Sequence, residues 1–241
     1  MLTHAILTNP GGRPVNEDSV GAFESGNNHL FVLCDGLGGH GMGDVASKLV
    51  VDVFADQFMK TDDMVNFLGQ AFSASQQLLM TEQIEHGARH KMKTTAVALA
   101  TDESTAYLGH IGDSRIYVFS HNKVKYRTLD HSIPQMLVLS REIKESEIRN
   151  HPDRNLVLRV LGIPWDEPMY ELSSPMPLKK CEAFLLCSDG FWELIEEKDM
   201  CRLLKQANTP QEWLILMADI VKKNGEDRNM DNYSAIAVWN S

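Results

Sequence analysis

Residues 30–44 read Leu30-Phe31-Val32-Leu33-Cys34-Asp35-Gly36-Leu37-Gly38-Gly39-His40-Gly41-Met42-Gly43-Asp44, and the rest of the chain is organised around this stretch. A short apolar run comes first, as in a buried strand, and it ends at the carboxylate Asp35. A run of glycines follows, and a helical pattern begins at Asp44. The stretch therefore predicts a strand that places one charged side chain, beside exposed backbone, at the end of a sheet.

A second stretch repeats this pattern, because the apolar run 183–187 leads directly into Ser188-Asp189-Gly190. Short strands joined by small turns predict antiparallel sheet for the block 93–119. Within that block we expect Gly112-Asp113 to form a bulge that redirects the carboxylate, although an exposed turn is an equal alternative. Further aspartates stand at predicted strand ends or kinks: Asp18, Asp113 and Asp231.

The remaining patterns predict a single domain over residues 1–241. Helical spacing predicts helices at about 44–60, 63–86 and 196–206, and a capping box at 209–212 starts another. Residues 131–162 differ in character, with a charge-rich helical stretch from Arg141 to Arg149. We expect this segment to be a mobile flap inserted beside the sheet, the alternative being a surface helical hairpin with no role.

Composition excludes several classes of protein. The net charge of −10 over 241 residues argues against nucleic acid, whose binding rests on lysine and arginine. No apolar run of transmembrane length and no signal segment stand in the sequence, so we expect no membrane association. The four cysteines lack zinc-ligand spacing and lie in apolar contexts, which favours buried thiols in a reducing, cytoplasmic location.

The aspartates at the strand ends indicate metal chemistry. Carboxylates brought into one cleft cannot all stay ionised without cations, and oxygen ligands favour Mg²⁺ or Mn²⁺. Two such ions about 3.5–4 Å apart can generate hydroxide near neutral pH and hold phosphoryl oxygens. Arg13 is the candidate for binding the substrate phosphate, since its planar fork suits that group. Taken alone, however, Glu17 and Asp18 could form a solvated strand edge with Arg13 as partner.

Two alternatives from other classes remain open. Gly36-x-Gly38-x-x-Gly41 satisfies the dinucleotide-binding pattern and makes a Rossmann oxidoreductase the second enzyme class. Against it, a second helix rather than a strand follows the first helix, and Asp35 would face the pyrophosphate. The other alternative is a non-catalytic module that binds phosphoproteins. Cysteine-nucleophile and aspartyl-nucleophile phosphatase patterns are absent from the sequence.

The motifs together resemble those of the metal-dependent protein phosphatases (type 2C, PPM), in particular the compact bacterial members. The resemblance runs from about residue 8 to the C-terminus and is specific because many motifs occur in series. It implies an α+β fold, a four-layer αββα sandwich in which two antiparallel sheets pack face to face between helices. The motifs are Arg13-x-x-Asn16-Glu17-Asp18, Asp35-Gly36-x-Gly38-Gly39-His40, Thr94-Thr95-Ala96, Gly112-Asp113-Ser114-Arg115, Asp130-His131-Ser132, Ser188-Asp189-Gly190 and Asp231-Asn232.

The resemblance also implies a role for each site residue. Two Mn²⁺ or Mg²⁺ ions would occupy the core site, and a third could be held by Asp113 and Asp189. Arg13 would bind phosphate, and Asn232 would support the ligands. The core ligands would be Asp35 as the bridge, the Gly36 carbonyl, Asp189 and Asp231, with Glu17 and Asp18 holding metal-bound waters.

As substrates, the resemblance implies phosphoserine and phosphothreonine in proteins, attacked directly by the metal-bridging hydroxide. It further implies an opposing serine/threonine kinase, and nothing in the sequence demands more than a monomer. Leu37 occupies the place where eukaryotic members have a histidine proposed as the general acid. His40, three residues later as in bacterial members, is the remaining candidate for that acid. Lys93 and Met230 replace usual glycines, but no metal ligand is lost, so an active enzyme is expected.

Overall fold

The computed structural model describes residues 2–38, 41–227 and 229–240. The strands in these ranges are β1 (Leu2–Asn9), β2 (Asp18–Ser25), β3 (Asn28–Asp35), β4 (Ala96–Thr101), β5 (Thr105–Ile111), β6 (Arg115–Ser120), β7 (Lys123–Arg127), β8 (Glu171–Leu172), β9 (Met176–Pro177), β10 (Ala183–Cys187) and β11 (Tyr233–Asn240). The helices are α1 (Gly43–Lys60), α2 (Met64–Glu85), α3 (Ile133–Leu139), α4 (Asp189–Trp192), α5 (Glu197–Gln206) and α6 (Pro210–Gly225). The predicted helices at 44–60, 63–86 and 196–206 are confirmed.

The strands form two sheets. The first sheet has the order β1-β11-β10-β6-β7, and the second has the order β2-β3-β4-β5-β8, with β9 beside β5. Every strand pair in the described part of the chain is antiparallel. The Rossmann alternative is therefore wrong, because that fold needs a mostly parallel sheet.

Three hydrophobic cores separate four layers. Between the sheets, Phe31 and Leu33 of β3 pack in one cluster with Phe184 of β10. Helices α1 and α2 cover the outer face of the second sheet, and α4, α5 and α6 cover the first. Residues 30–34 of β3 are all apolar because Leu30 and Val32 face α1 and α2 while Phe31 and Leu33 face the other sheet. The predicted αββα sandwich is confirmed.

The expected bulge at Gly112-Asp113 is wrong. Strand β5 lies in the second sheet and β6 lies in the first, so residues 112–114 carry the chain from one sheet to the other. Gly112 has φ +106, and a Cβ there would collide with the side chain of Thr95. Only glycine fits this crossing without strain, because it tolerates a positive φ and leaves room for Thr95.

The predicted helix over 141–149 is also wrong. Helix α3 ends at Leu139, Arg141 has φ +65, and a 3₁₀ helix covers Glu145–Asn150. The charges in this stretch serve distant partners instead of a helix surface: Glu145 pairs with Arg127 at 2.6 Å, and Arg149 pairs with Glu197 at 2.8 Å. These contacts attach the segment to the first sheet and to α5.

The cysteines and the lengths of the helices bear on two further predictions from the sequence. All four cysteines are free; Cys34, Cys181 and Cys187 are buried, as expected, and Cys201 is half-buried. In the part of the chain that the structure describes, each helix is too short or too polar to cross a bilayer.

Replacing Phe184 by alanine tests the inter-sheet core. Phe184 is fully buried between the sheets, so we expect the free energy of unfolding to fall by about 3–5 kcal/mol in urea denaturation. Met59→Ala is the control, because that side chain is 60% exposed and should change stability by less than about 0.5 kcal/mol. A similar effect of the two changes would contradict this packing.

Candidate metal centre

The ends of strands from both sheets meet at one cleft of about 680 Å³. Asp18 begins β2 and lies opposite Asp35, the last residue of β3. Asp189 follows β10, and Asp231 precedes the neighbouring strand β11. Asp113 lies in the crossing between the sheets. Four of these carboxylates line the cleft, and Asp18 is buried.

The backbone of Asp35 is fixed by two threonines. Its N–H donates to Thr95 Oγ1 at 3.1 Å, and its carbonyl accepts from the Thr95 N–H at 2.8 Å and from Thr94 Oγ1 at 2.9 Å. The next residue, Gly36, donates its N–H to the Glu17 carbonyl at 3.1 Å. A Cβ on Gly36 would collide with the Gly43 carbonyl, so glycine is required where the glycine run begins.

Asp18 has one satisfied and one unsatisfied carboxylate oxygen. Its Oδ2 accepts from Ser188 Oγ at 3.0 Å, and Ser188 Oγ in turn accepts from the Ser234 N–H at 2.9 Å. Its Oδ1 is buried and has no hydrogen-bond partner among the described residues. Because an unpaired buried oxygen is costly, this atom indicates that a water or a cation completes the site.

Asp231 and Asn232 tie the first sheet to the loop before β2. Asp231 Oδ2 accepts from Arg13 Nη2 at 2.9 Å, and both side chains are nearly half exposed at the cleft. Asn232 accepts from the Glu17 N–H at 2.8 Å and donates to the Pro10 and Val15 carbonyls. Asn232 thereby fixes the loop that carries Arg13 and Glu17.

Asp113 is positioned by contacts that the sequence did not reveal. The indole N–H of Trp192 donates to the Asp113 carbonyl at 2.9 Å. The guanidinium of Arg115 lies 3.3 Å from the centre of the Trp192 ring and forms a buried bidentate pair with Asp130. His131 holds Gly112 from the other side through two hydrogen bonds. The ring Nδ1 of His131 accepts from the Gly112 N–H, and the backbone N–H of His131 donates to the Gly112 carbonyl.

Burial and mutual repulsion raise the pKa values of the clustered carboxyls. Burial, with the charges of Asp189 and Asp231, raises the pKa of Asp18 to about 7. Burial and Asp231 raise the pKa of Asp189 to about 6. The pKa values of Asp35 and Asp113 lie well above the usual range for the same reasons. Carboxylates that repel one another in this way are stabilised by cations, and oxygen ligands fit Mg²⁺ or Mn²⁺ ions.

A second group of metal-type side chains, His110, His131 and Glu171, brings three ligand atoms within 4.8 Å of one another. Because His131 Nδ1 accepts a hydrogen bond from Gly112, its Nε2 carries the proton and has no lone pair for a metal. Burial lowers the pKa of His131 to about 4, so the ring is neutral. This group therefore fits a structural role, in which the imidazole holds the Gly112 turn.

Several outcomes concern residues at the edge of the cleft. The solvated-edge interpretation is wrong for Asp18, which is buried, and Arg13 pairs with Asp231 instead. Glu17 is half-buried, and burial raises its pKa. His40 lies outside the described residues. Contacts missed from the sequence come from Ser188, Thr95 and Trp192, and Asn155 and Val157 of the segment 131–162 also line the cleft.

Comparison with known proteins gives the family. Residues 12–230 match the family described as Protein phosphatase 2C, and the chain belongs to this family of metal-dependent enzymes. The serine/threonine phosphatase stp of Listeria monocytogenes is 30% identical over 232 residues, 92% of this chain and 89% of the relative. PstP of Mycobacterium tuberculosis is 30% identical over 198 residues, 80% of this chain and 37% of the relative. The structure of Stp1 from Staphylococcus aureus superposes with a TM-score of 0.91 at 29% identity, covering 100% of this chain and 96% of that one.

The raised pKa values predict an unusual pH dependence of stability without metal. The folded state holds a proton on Asp18 up to about pH 7, whereas the unfolded chain releases it near pH 4. The stability that this group contributes is complete below pH 4 and is lost as the pH rises through 7. In EDTA we expect the free energy of unfolding to fall by about 1 kcal/mol between pH 6.5 and 8 in urea denaturation.

The measurement begins at about pH 6.5 because His110 and His131 have the opposite effect at lower pH. Their pKa values are lowered in the folded state, so below about pH 6.5 they make the free energy of unfolding rise with pH. Mn²⁺ should reverse the loss at pH 8, since the cations favour the ionised carboxylates. Asp18→Asn is the control and should reduce the loss in EDTA without abolishing it, because the pKa values of Asp35 and Asp113 are raised as well. Stability that rises with pH in EDTA over this window would contradict the electrostatic account.

Proposed function

We propose that the chain is a protein serine/threonine phosphatase that hydrolyses phosphoserine and phosphothreonine in proteins with two bound Mn²⁺ or Mg²⁺ ions. The observation that carries the proposal is the cluster of carboxylate oxygens with raised pKa values, which includes Asp18 Oδ1, an atom without a hydrogen-bond partner among the described residues. Membership of the protein phosphatase 2C family and the names of the bacterial relatives support the same reaction.

In this proposal each side chain of the cleft has a defined part. Asp35, the Gly36 carbonyl, Asp189 and Asp231 would hold the two ions, and Glu17 and Asp18 would act through water on them. Asp113 and Asp189 would hold a third, weaker ion. When bound, the pair supplies an activated water for direct hydrolysis, without a covalent phospho-enzyme. Thr95 and Asn232 keep the ligand-bearing backbone in place before any ion arrives.

Arg13 is proposed to bind the substrate phosphate. Its guanidinium lies at the rim of the cleft and is nearly half exposed, so an incoming phosphate can reach it. Its hydrogen bond to Asp231 orients it beside the metal ligands. A guanidinium can donate to two phosphate oxygens at once, which strengthens binding of the phosphate group.

The segment 131–162 is proposed to act as a flap over the cleft within a single catalytic domain. Asn155 and Val157 line the cleft, so a bound phosphoprotein would touch this segment. Arg154 attaches it to Glu193 at 3.2 Å, and burial together with Asp189 raises the pKa of Glu193 to about 7.

The proposal further includes a cytoplasmic location, which the free thiols favour, a monomeric state and an opposing serine/threonine kinase.

Hydrolysis of a phosphothreonine peptide tests the reaction. We expect phosphate release with Mn²⁺, none with excess EDTA, and recovery when Mn²⁺ is added back. Asp189→Asn should lower kcat by roughly a hundredfold or more, because losing even an outer contact to a metal ligand costs 10–100-fold. Asp166→Asn is the control for the same chemical change at an exposed site. Folded wild-type protein that binds the phosphopeptide without turnover would favour the non-catalytic binding module.

Replacing Arg13 tests phosphate binding. We expect Arg13→Ala to raise KM for the phosphopeptide by roughly tenfold or more while kcat changes little, because a hydrogen bond to a charged group is lost. Arg13→Lys keeps the charge but lacks the planar fork, so its KM should lie between that of the wild type and that of Arg13→Ala. Steady-state kinetics identical to those of the wild type in Arg13→Ala would refute this role.

A further inference from the structure

A second depression in the surface lies away from the carboxylates. A groove of about 1010 Å³ opens between the β6–β7 hairpin of the first sheet and residues 176–182, which lead from β9 to β10. We call it the basic groove; its walls include Lys125, Tyr126, Met176, Pro177, Lys179 and Lys180. It continues into a neighbouring depression of about 700 Å³ that shares Lys179 with it.

The basic groove faces the opposite end of the sandwich from the metal centre. It is lined by Ser120 and Asn240, the last residues of β6 and β11, whereas those strands begin beside Asp113 and Asp231. At about 3.3 Å per residue, the eight residues of β11 separate the two sites by about 23 Å. A side chain in this groove therefore cannot touch a phosphate bound in the cleft.

The charge of the groove contrasts with that of the protein. The whole chain has 33 acidic and 23 basic residues, yet the groove carries the exposed lysines Lys125, Lys179 and Lys180. Among the described residues, lysine ion pairs involve Lys60 and Lys198, and no groove lysine has a carboxylate within 4 Å. This concentration of unpaired positive charge attracts an anionic partner.

One carboxylate, that of Glu182, lies in the wall of the groove, and the three lysines outnumber it. Glu182 accepts the Asn122 N–H at 2.8 Å, which fixes the turn of the β6–β7 hairpin. Glu103, in the neighbouring depression, accepts from Asn27. Tyr126, Met176 and Pro177 add apolar surface between the lysines. The groove thus combines cations with apolar contacts, as suits a polypeptide with acidic and apolar residues.

We propose that the basic groove binds an acidic, extended segment of the phosphoprotein substrate, at a distance from the phosphorylated residue. The inference rests on the proposed function, because it identifies which substrates that site prefers. A substrate held at the groove presents its phosphoresidue to the cleft at a raised effective concentration. Phosphoproteins with an acidic segment long enough to span the two sites are then hydrolysed at lower concentrations than short phosphopeptides.

Direct binding tests the groove independently of catalysis. The probe is a fluorescein-labelled peptide of alternating Glu and Ser, measured by fluorescence anisotropy against its Lys/Ser counterpart and labelled oligouridylate. We expect wild-type protein to bind the Glu/Ser peptide, more weakly as salt is added, and K179E/K180E to lose that binding. K222E/K223E is the matched control, since it reverses two adjacent exposed lysines on the last turn of α6. K125E provides a second groove variant, and circular dichroism checks folding.

Kinetics give the second readout. For a phosphothreonine peptide extended by a Glu/Ser segment, K179E/K180E should raise KM by roughly tenfold and leave kcat unchanged. For the phosphopeptide alone, both constants should match those of the wild type. If the wild type hydrolyses neither peptide, the proposed function fails while anisotropy still decides the groove. No binding of the Glu/Ser peptide, equal loss in both double variants, or preference for oligouridylate would overturn the proposal.

Discussion

Carboxylates carried by two different sheets lie together at one cleft, and most of them are buried or half-buried, so water screens their charges poorly. They raise one another's pKa values, and without metal ions the state of lowest free energy keeps protons on several of them. The surrounding backbone is built to resist that repulsion. Threonine hydroxyls hold β3 to β4, Ser188 joins Asp18 to the first sheet, and Asn232 anchors the loop before β2.

A buried ion pair extends this framework toward the segment 131–162. Arg115 and Asp130 are almost completely buried and joined by two hydrogen bonds, which offset part of the cost of removing both charges from water. The same guanidinium stacks on Trp192, whose indole holds the Asp113 carbonyl. One cluster of side chains therefore positions both Asp113 and the start of the segment 131–162.

Local patterns in the sequence were sufficient for the strand-end aspartates, because an apolar run that stops at Asp-Gly marks where a buried strand reaches solvent. They do not indicate which sheet each strand joins, so they predict a bulge at Gly112, where the chain in fact crosses from one sheet to the other. The charges of Glu145 and Arg149 suggested a helix because their partners, Arg127 and Glu197, are far away along the chain. Contacts such as Ser188 to Asp18 join residues 170 positions apart, and no local pattern indicates them.

The place of β11 in the first sheet has a consequence for synthesis on the ribosome. This strand lies between β1 and β10, although its residues 233–240 are translated after both partners. A nascent chain that ends before Asp231 lacks Asp231 and Asn232 and leaves β1 without its partner strand. Pairings between segments so distant in sequence also form slowly. The cluster of carboxylates at the cleft is therefore complete only after translation has passed Asp231, and the sheet that carries it is complete only after β11.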